Sequence, residues 1–250
     1  MAFERLFVAG LVVVWLSAPT TVSAQDPAPT KSPHSARADE PDRPLSDEAQ
    51  RIHESFKVLT ELNATPDNAI PQGLLDRAEA IVVIPQLVKG GFIVGAKHGK
   101  GVVSIRDRAT NTWSAPAFVN LTGGSIGWQI GVEAVDLVLL VMNEDGINQL
   151  LQDRFTIGGG LSVAAGPVGR SADAAANAQM NAGILAYSRA KGLFAGATLE
   201  GARLGDDGSA NEKFYGKPVT IREITGSAFG PSIPPAAAAW RAGLAGLAGR

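Results

Sequence analysis

A serine between glycines is the first group in this sequence that could do chemistry. Residues 123–127 read G-x-S-x-G with Ser125 in the nucleophile position, the pattern of the turn that exposes the serine of α/β-hydrolases. That fold needs a strand-to-helix turn at the serine and a histidine later in the chain. Here the residues after Gly127 alternate as in a strand, and no histidine follows His98. The pattern therefore favours a structural role for Ser125 and leaves hydrolysis as the weakest alternative.

Other motifs that bind cofactors or metals are incomplete. Residues 95–100 have three residues where a phosphate-binding loop has four between its glycines, and no hydroxyl residue follows Lys100. The glycines at 158–160 do not match the dinucleotide fingerprint, and residues 206–208 lack the alternating oxygen ligands of a calcium loop. Three scattered histidines do not make a zinc site. The sequence predicts no enzyme, no catalytic residue, no cofactor and no metal.

Composition narrows the class of partner. The 250 residues are 45% hydrophobic, which suits one domain with one good core. A net charge of -2 and a pI near 5.9 provide no overall field toward nucleic acid, so no nucleic-acid partner is predicted. The absence of cysteine excludes disulfides, thiolate metal sites and a lipidated N-terminal cysteine.

Local charge is more informative than any motif. Residues 89–108 carry five basic side chains against Asp107 alone, whereas residues 133–153 carry five acids and no base. A basic hairpin could meet phosphate headgroups, at roughly 1 kcal/mol per well-placed cation. The alternative is that the charges of the hairpin are solvated and only keep an edge strand soluble. The sequence of these residues alone slightly favours this alternative. The candidate lipid-binding residues are Lys89, Lys97, Lys100, Arg106, Arg108, Arg189, Lys191 and Trp240.

The N-terminus predicts export. Residues 1–24 combine Arg5, an apolar run over residues 6–16 and a small-residue cleavage site at residues 22–24, which together are typical of a signal peptide. Eleven apolar residues are fewer than the roughly 20 that a spanning helix needs. Residues 25–45 contain five prolines and few large apolar side chains, which predicts a disordered tether. The expected location is the periplasm or the outer surface, without lipidation.

The remaining chain predicts an α+β fold over residues 46–225. Helices are expected from Ser46 to about Asn63, from Pro71 to about Glu79, and from Asn143 through Phe155. Strict alternation over residues 126–134 predicts a strand with one buried face. Further predicted strands cover residues 92–98 and 102–106, joined as a hairpin through residues 99–101 and followed by a turn at 107–111, and residues 155–165, 183–189 and 193–204. The expected sheet is antiparallel, glycine-rich and strongly curved or partly closed, with a few flanking helices.

Several separated stretches resemble the SYLF domain family. They are Trp113-Ser114-Ala115-Pro116, Gly124-Ser125-Ile126-Gly127-Trp128-Gln129-Ile130-Gly131, Ala165-Gly166-Pro167-Val168-Gly169-Arg170, Tyr187-Ser188-Arg189-Ala190-Lys191-Gly192-Leu193-Phe194-Ala195-Gly196 and Phe214-Tyr215-Gly216. The resemblance implies lipid binding, especially to phosphoinositides, actin binding in some eukaryotic members, and no catalysis. An exported bacterial member would meet anionic phospholipid rather than actin. The predicted function is therefore an envelope protein that binds anionic lipid. The alternative is a protein-interaction or envelope-structural module with an envelope protein as partner.

Residues 226–250 are predicted to be a Pro/Ala-rich tail. Trp240, Leu244 and Leu247 have the spacing of one apolar helix stripe, which could lie in a membrane interface. Gly243, Gly246 and Gly249 each cost about 1 kcal/mol relative to alanine, so a frayed end is favoured over a membrane helix.

Overall fold

A computed structural model describes most of the chain after residue 44. The described residues are 45–64, 69–152, 154–158, 162–169, 182–190, 193–196, 199, 201–226 and 233–248, and at 91–94, 125–132, 154 and 193–196 the description covers the backbone alone. They belong to one compact unit, Pro44–Arg250, which contains every buried core residue of the described chain. The predicted signal peptide, nearly all of the predicted tether and Lys191 lie outside the described residues.

Three helices form where the sequence predicts them. Helix α1 spans Asp47–Ala64, and the Ser46 hydroxyl accepts a hydrogen bond from the Ala49 backbone N–H at 3.1 Å. Helix α2 spans Gln72–Arg77 directly after Pro71. Helix α3 spans Glu144–Leu150, with the Asn143 side chain as its N-cap. The prediction is wrong at the end of α3, because Phe155 lies in a strand.

Two long strands dominate the sheet. Strand β1 spans Ala80–Asp107, β2 is the short Thr112–Trp113, and β3 spans Ala117–Val141. Strands β1 and β3 pair antiparallel along nearly their whole length. A turn at residues 108–111 joins β1 to β2. The turn before Trp113 is confirmed, whereas the hairpin through residues 99–101 is wrong, since β1 continues through them.

The remaining strands extend this ribbon into a curled, open sheet. They are β4 (Arg154–Thr156), β5 (Val163–Ala165), β6 (Ile184–Ala190), β7 (Leu193–Gly196) and β8 (Arg203–Asp206). The main order is β2-β1-β3-β6-β5, while β8 pairs with β3 and β4, and β7 pairs with β6. All described pairings are antiparallel except β5 with β6. The predicted α+β class with a strongly curved, mostly antiparallel sheet is confirmed.

Apolar side chains cover both faces of the sheet. One cluster joins Leu59 of α1 and Leu75 of α2 to Phe118 and Val138 of β3. The second cluster lies on the opposite face and includes Leu137 of β3. Because consecutive strand residues face opposite sides, a run such as residues 137–141 supplies both clusters and is buried throughout.

Three more helices close the described chain. They are α4 (Gly208–Tyr215), α5 (Ile221–Thr225) and α6 (Pro235–Leu247). Among the described residues, no helix is long and apolar enough to cross a membrane.

Helix α6 replaces the frayed end that was predicted. Trp240 is 1% exposed, its indole N–H donates to the Ser104 hydroxyl at 2.7 Å, and its ring meets Phe56 edge-on with a centroid distance of 6.3 Å. Leu244 is also buried. The apolar stripe is therefore satisfied by the core, which stabilises the helix despite its glycines.

Candidate functional site

Five of the predicted lipid-binding cations lie on β1 and its end, but they do not form one surface. Arg106 and Arg108 are beside α2. Lys100 is beside α1 and α4, and Lys89 and Lys97 flank the middle of the strand. These residues are close together in the sequence, but the curled strand places their side chains in three different environments.

Arg106 and Arg108 connect the end of β1 to α2 and to the segment that follows it. The Arg108 guanidinium forms an ion pair with Glu79, which is largely buried. Arg106 donates to the backbone carbonyl of Asp76 and lies over the Trp113 ring, 5.5 Å from its centroid. Both arginines therefore make contacts that hold the fold together.

Lys100 belongs to a cluster centred on Asp207. The Asp207 carboxylate lies 3.0 Å from an Arg51 nitrogen and 3.8 Å from the Lys100 ammonium nitrogen, and it also caps α4 through the Ala210 N–H. Burial alone would raise the pKa of Asp207, but the hydrogen bond from Arg51 and the Lys100 charge hold it below its usual value. This carboxylate joins α1, β1 and α4.

A second cluster surrounds Arg189 of β6. Its guanidinium donates to Asp136 of β3 at 2.8 Å and forms an ion pair with Glu61 of α1. Burial acts to lower the pKa of Arg189, but both carboxylates raise it above the usual value. Asp136 also accepts the backbone N–H of Gln86 at 3.0 Å, at a bulge where Gln86 has a φ of 51°. The Arg189 side chain therefore links β6 to β3 and α1, which is a structural role.

An open cleft of 380 Å³ lies between α1 and β1, next to the Asp207 cluster. Its walls mix both signs of charge: Asp47 and Glu54 come from α1, and Lys100 comes from β1. Because both acidic and basic side chains line it, the cleft has no single charge with which to select an ionic ligand.

Lys89 and Lys97, here called the lysine pair, differ from the other candidates. Neither forms a salt bridge within the described chain, and both side chains are half-buried. Lys89 is opposite Glu133 in the ladder, but Lys97 is opposite Gly123. Partial burial, and next the charge of Lys89, lower the pKa of Lys97. An anion placed beside the two ammonium groups would relieve this repulsion.

Trp240 and Lys191 complete the set of predicted residues. The buried Trp240 is a correction, because its ring lies in the core and not at a surface that a membrane could reach. Lys191 lies outside the described residues. Sequence reasoning missed Asp207 and Asp136, although Asp207 directly before a Gly-Ser-Ala helix start has the pattern of an N-cap.

The described residues offer little for catalysis. The backbone at Ser125 is an extended strand paired with Gly95, whereas a nucleophile elbow requires a sharp strand-to-helix turn. Burial raises the pKa values of Tyr187 and Tyr215, which keeps both phenols neutral. No group of three metal-ligating side chains occurs in the described ranges.

The fold and these charges define a curled α+β domain with ionic links between its helices and its sheet. Residues 122–245 match the family model Ysc84, described as "Las17-binding protein actin regulator". Three relatives are LAS seventeen-binding protein 3 of Saccharomyces cerevisiae, 38% identical over 68% of this chain and 37% of its own length; Protein YSC84 of the same species, 36% identical over 78% and 42%; and human SH3 domain-containing YSC84-like protein 1, 32% identical over 78% and 56%.

The chain belongs to the SYLF domain family, as its motifs indicated. It spans between 37% and 56% of the length of these three relatives. The family description names a binding protein and actin regulator, and the name of LAS seventeen-binding protein 3 also denotes binding.

Proposed function

We propose that this chain is a non-enzymatic binding module that recognises anionic lipid through the lysine pair. The observation that carries the proposal is that Lys89 and Lys97 are half-buried and form no salt bridge among the described residues, while partial burial and then the charge of Lys89 lower the pKa of Lys97. Phosphate oxygens would supply the missing countercharge. The other described basic candidates already have partners, since Lys100, Arg106, Arg108 and Arg189 contact carboxylates or a backbone carbonyl.

Vesicle co-sedimentation tests this proposal. The chain from Gln25 onward keeps the whole compact unit and omits the predicted signal peptide. It should sediment with phosphatidylglycerol-containing vesicles and less with pure phosphatidylcholine. Salt should weaken the binding, because exposed charges are screened within about 8 Å at physiological ionic strength.

A matched pair of charge reversals locates the surface. Lys97→Glu should weaken binding about fivefold or more, on the scale of roughly 1 kcal/mol per interfacial cation. Lys213→Glu makes the same change of net charge at an exposed position of α4 and should leave binding nearly unchanged. Equal loss in both variants, or equal binding to both vesicle types, would contradict recognition by the lysine pair.

A protein partner is the second candidate function. One yeast relative is named LAS seventeen-binding protein 3, which supports recognition of a protein by this family. Along residues 123–135, β3 pairs only with β1 among the described strands, so one strand edge is open to addition of another chain. Crosslinking should then recover one envelope protein specifically, and vesicles should neither compete with it nor be required.

We further propose that the protein is exported to the periplasm or outer surface, on the basis of the signal-like residues 1–24. Cell fractionation with N-terminal sequencing tests this. A product beginning at Gln25 outside the cytoplasm supports export, whereas an intact N-terminus in the cytoplasm contradicts it.

A further inference from the structure

One exposed face of helix α6 consists of alanines around a single charge. Ala238, Arg241, Ala242 and Ala245 are three, four and seven residues apart in sequence from the first of them, so they lie on the same face of the helix. The three alanines are exposed, and Arg241 is half-buried. The outer face of a helix in a globular protein is ordinarily polar. Here it presents methyl groups beside one guanidinium, and we call these four residues the alanine face.

Two cavities share the Arg241 side chain. The first has a volume of 280 Å³ and lies along the three alanines, with Ile233 at its wall. The second has a volume of 190 Å³ and is lined by Asp107 and Ser114, next to the turn that follows β1. Trp113 and Arg241 line both cavities. An apolar cavity and a polar cavity therefore meet at one cation.

The backbone holds the Arg241 guanidinium in place without using all of its donors. Its Nε–H donates to the Trp113 carbonyl at 2.8 Å. Within the described residues, Nη1 and Nη2 make no hydrogen bond and no ion pair. The N–H groups of a guanidinium form a planar fork that a carboxylate can accept in pairs. Arg241 is therefore oriented for an anion before one arrives.

The other polar groups of the second cavity favour a singly charged anion. The hydroxyls of Thr110 and Thr112 are 2.8 Å apart and share one hydrogen bond, so one of the two O–H groups still has a proton to donate. The Asp107 carboxylate accepts the backbone N–H groups of Ala109 and Thr110, and its negative charge lies in the same cavity. That charge would repel a doubly charged phosphate more than a carboxylate.

We propose that these cavities bind a free fatty acid of medium chain length, with its carboxylate on Arg241 and its alkyl chain along the alanine face. Ala238 and Ala245 are about 10 Å apart along the helix axis, which is comparable with an extended octanoate chain. Removal of the alkyl chain and the alanine methyl groups from water would supply much of the binding free energy. This site goes beyond the proposed recognition of anionic vesicles, because the lysine pair lies toward the middle of β1 and Arg241 lies beside its end.

Isothermal titration calorimetry of the chain from Gln25 onward tests the chemistry of the ligand. Octanoate should bind at a ratio of one per chain. Acetate keeps the carboxylate but lacks the chain, and should bind at least about tenfold more weakly. Octylamine keeps the chain but reverses the charge, and should also bind at least about tenfold more weakly. N-acetyl-leucine presents a carboxylate on a short branched side chain, as the last residue of a peptide would, and should bind more weakly than octanoate.

Four variants locate the site. Arg241→Gln should weaken octanoate binding about tenfold or more, because the charged hydrogen bonds to the carboxylate are lost. Ala242→Glu places a negative charge in the first cavity and should have a similar effect. Ala239→Glu adds the same charge at an exposed position that lines neither cavity, and should leave octanoate affinity unchanged. Lys97→Glu should also leave octanoate affinity unchanged.

Thermal melting identifies which variants are folded, and the comparison of Ala242→Glu with Ala239→Glu decides the location if Arg241→Gln does not fold. No binding of octanoate, or equal affinity for octanoate and octylamine, would overturn the proposal. Equal affinity for acetate would remove the alanine face from the site, and equal or tighter binding of N-acetyl-leucine would overturn the assignment to a fatty acid. A loss on Lys97→Glu with none on Ala242→Glu would place the carboxylate at the lysine pair instead. None of these outcomes changes the vesicle result on which the proposed function depends.

Discussion

Single residues carry much of the connection between helices and sheet, and Asp207 shows how. Its carboxylate meets Arg51 of α1 and Lys100 of β1 while capping α4. It is 7% exposed, so removal of its charge would leave Arg51 without its counterion in a poorly solvated place.

Asp207→Asn should lower the free energy of unfolding by about 1–3 kcal/mol, the usual cost of removing one partner of a buried charged hydrogen bond. The folded pKa of Asp207 is below its ordinary value of 3.8. Its contribution is therefore fully present above about pH 4 and is lost as the pH falls through the folded pKa. Urea titrations at pH 7 and at about pH 3 measure both effects.

The control for this prediction is Glu212→Gln at an exposed position of α4, which removes the same charge without disturbing the Asp207 cluster. It should change stability by less than about 0.5 kcal/mol. If Asp207→Asn costs no more than this control, or if its cost is the same at both pH values, the ionic role assigned to Asp207 is wrong.

Arg189 gives a test that separates folding from binding. Arg189→Met should destabilise the protein by about 1–3 kcal/mol, because Asp136 and Glu61 lose their shared partner. Arg189→Lys keeps the charge and should recover part of the loss. Vesicle affinity per folded molecule should be the same in all three proteins. A selective loss of vesicle binding in a fully stable Arg189→Met variant would return Arg189 to the lipid site.

The sequence could predict basic residues near a sheet but not which of them are paired. Arg189 is 53 residues from Asp136 and 128 from Glu61. Pairings at such separations depend on strand register and on where α1 crosses the sheet. Local caps needed no such knowledge, and for this reason Ser46 and Asn143 were placed correctly.

Helices and strands could be predicted from the sequence where their caps and periodicity lie within a short stretch of chain. Periodicity and caps locate α1, α2 and α3, and alternation locates β3. The glycines of β1 were misleading, because Gly99 and Gly101 resemble a turn. A Cβ on Gly99 would lie 2.6 Å from Ile84 Cγ2, and one on Gly101 would collide with the Val83 carbonyl. These glycines permit close contact within a tightly curled strand, a long-range requirement that short spacing does not disclose.

Two glycines of helix α6 allow the cost of a packing clash to be compared with the gain in helix propensity. Gly243→Ala should destabilise the protein by about 1–3 kcal/mol, since the new methyl group would collide with the Phe56 ring. Gly246→Ala meets nothing within 4 Å and should stabilise the helix by up to about 1 kcal/mol. Thermal and urea unfolding of the two variants give the comparison. Stabilisation by both substitutions would mean that α6 does not lie against α1.

At the scale of the whole molecule, the predicted α+β class with a curled sheet is confirmed. The sequence also predicted one basic surface over residues 89–108, and this prediction is not confirmed. Most of the basic residues of 89–108 serve as links to α1, α2 and α4, so the predicted basic surface is reduced to the lysine pair. Meanwhile Ala134, which the alternation over residues 126–134 predicts to lie on the buried face of its strand, is exposed.

The C-terminal helix α6 is part of the folded domain, because Trp240 and Leu244 lie in its core. A chain ending at Gly226 loses α6, which removes Trp240 and Leu244 from the core and leaves the Ser104 hydroxyl without the indole that donates to it. Loss of two such side chains should cost about 5 kcal/mol or more, comparable with the whole stability of a small domain. The truncated chain should therefore lack a cooperative urea transition and native near-ultraviolet circular dichroism. Ser104→Ala, which removes the hydrogen bonds of this hydroxyl to Trp240 and to the Ser114 carbonyl, should cost about 1–3 kcal/mol and retain cooperative unfolding. A truncated chain as stable as the parent would show that residues 226–250 are a tail, as the sequence alone suggested.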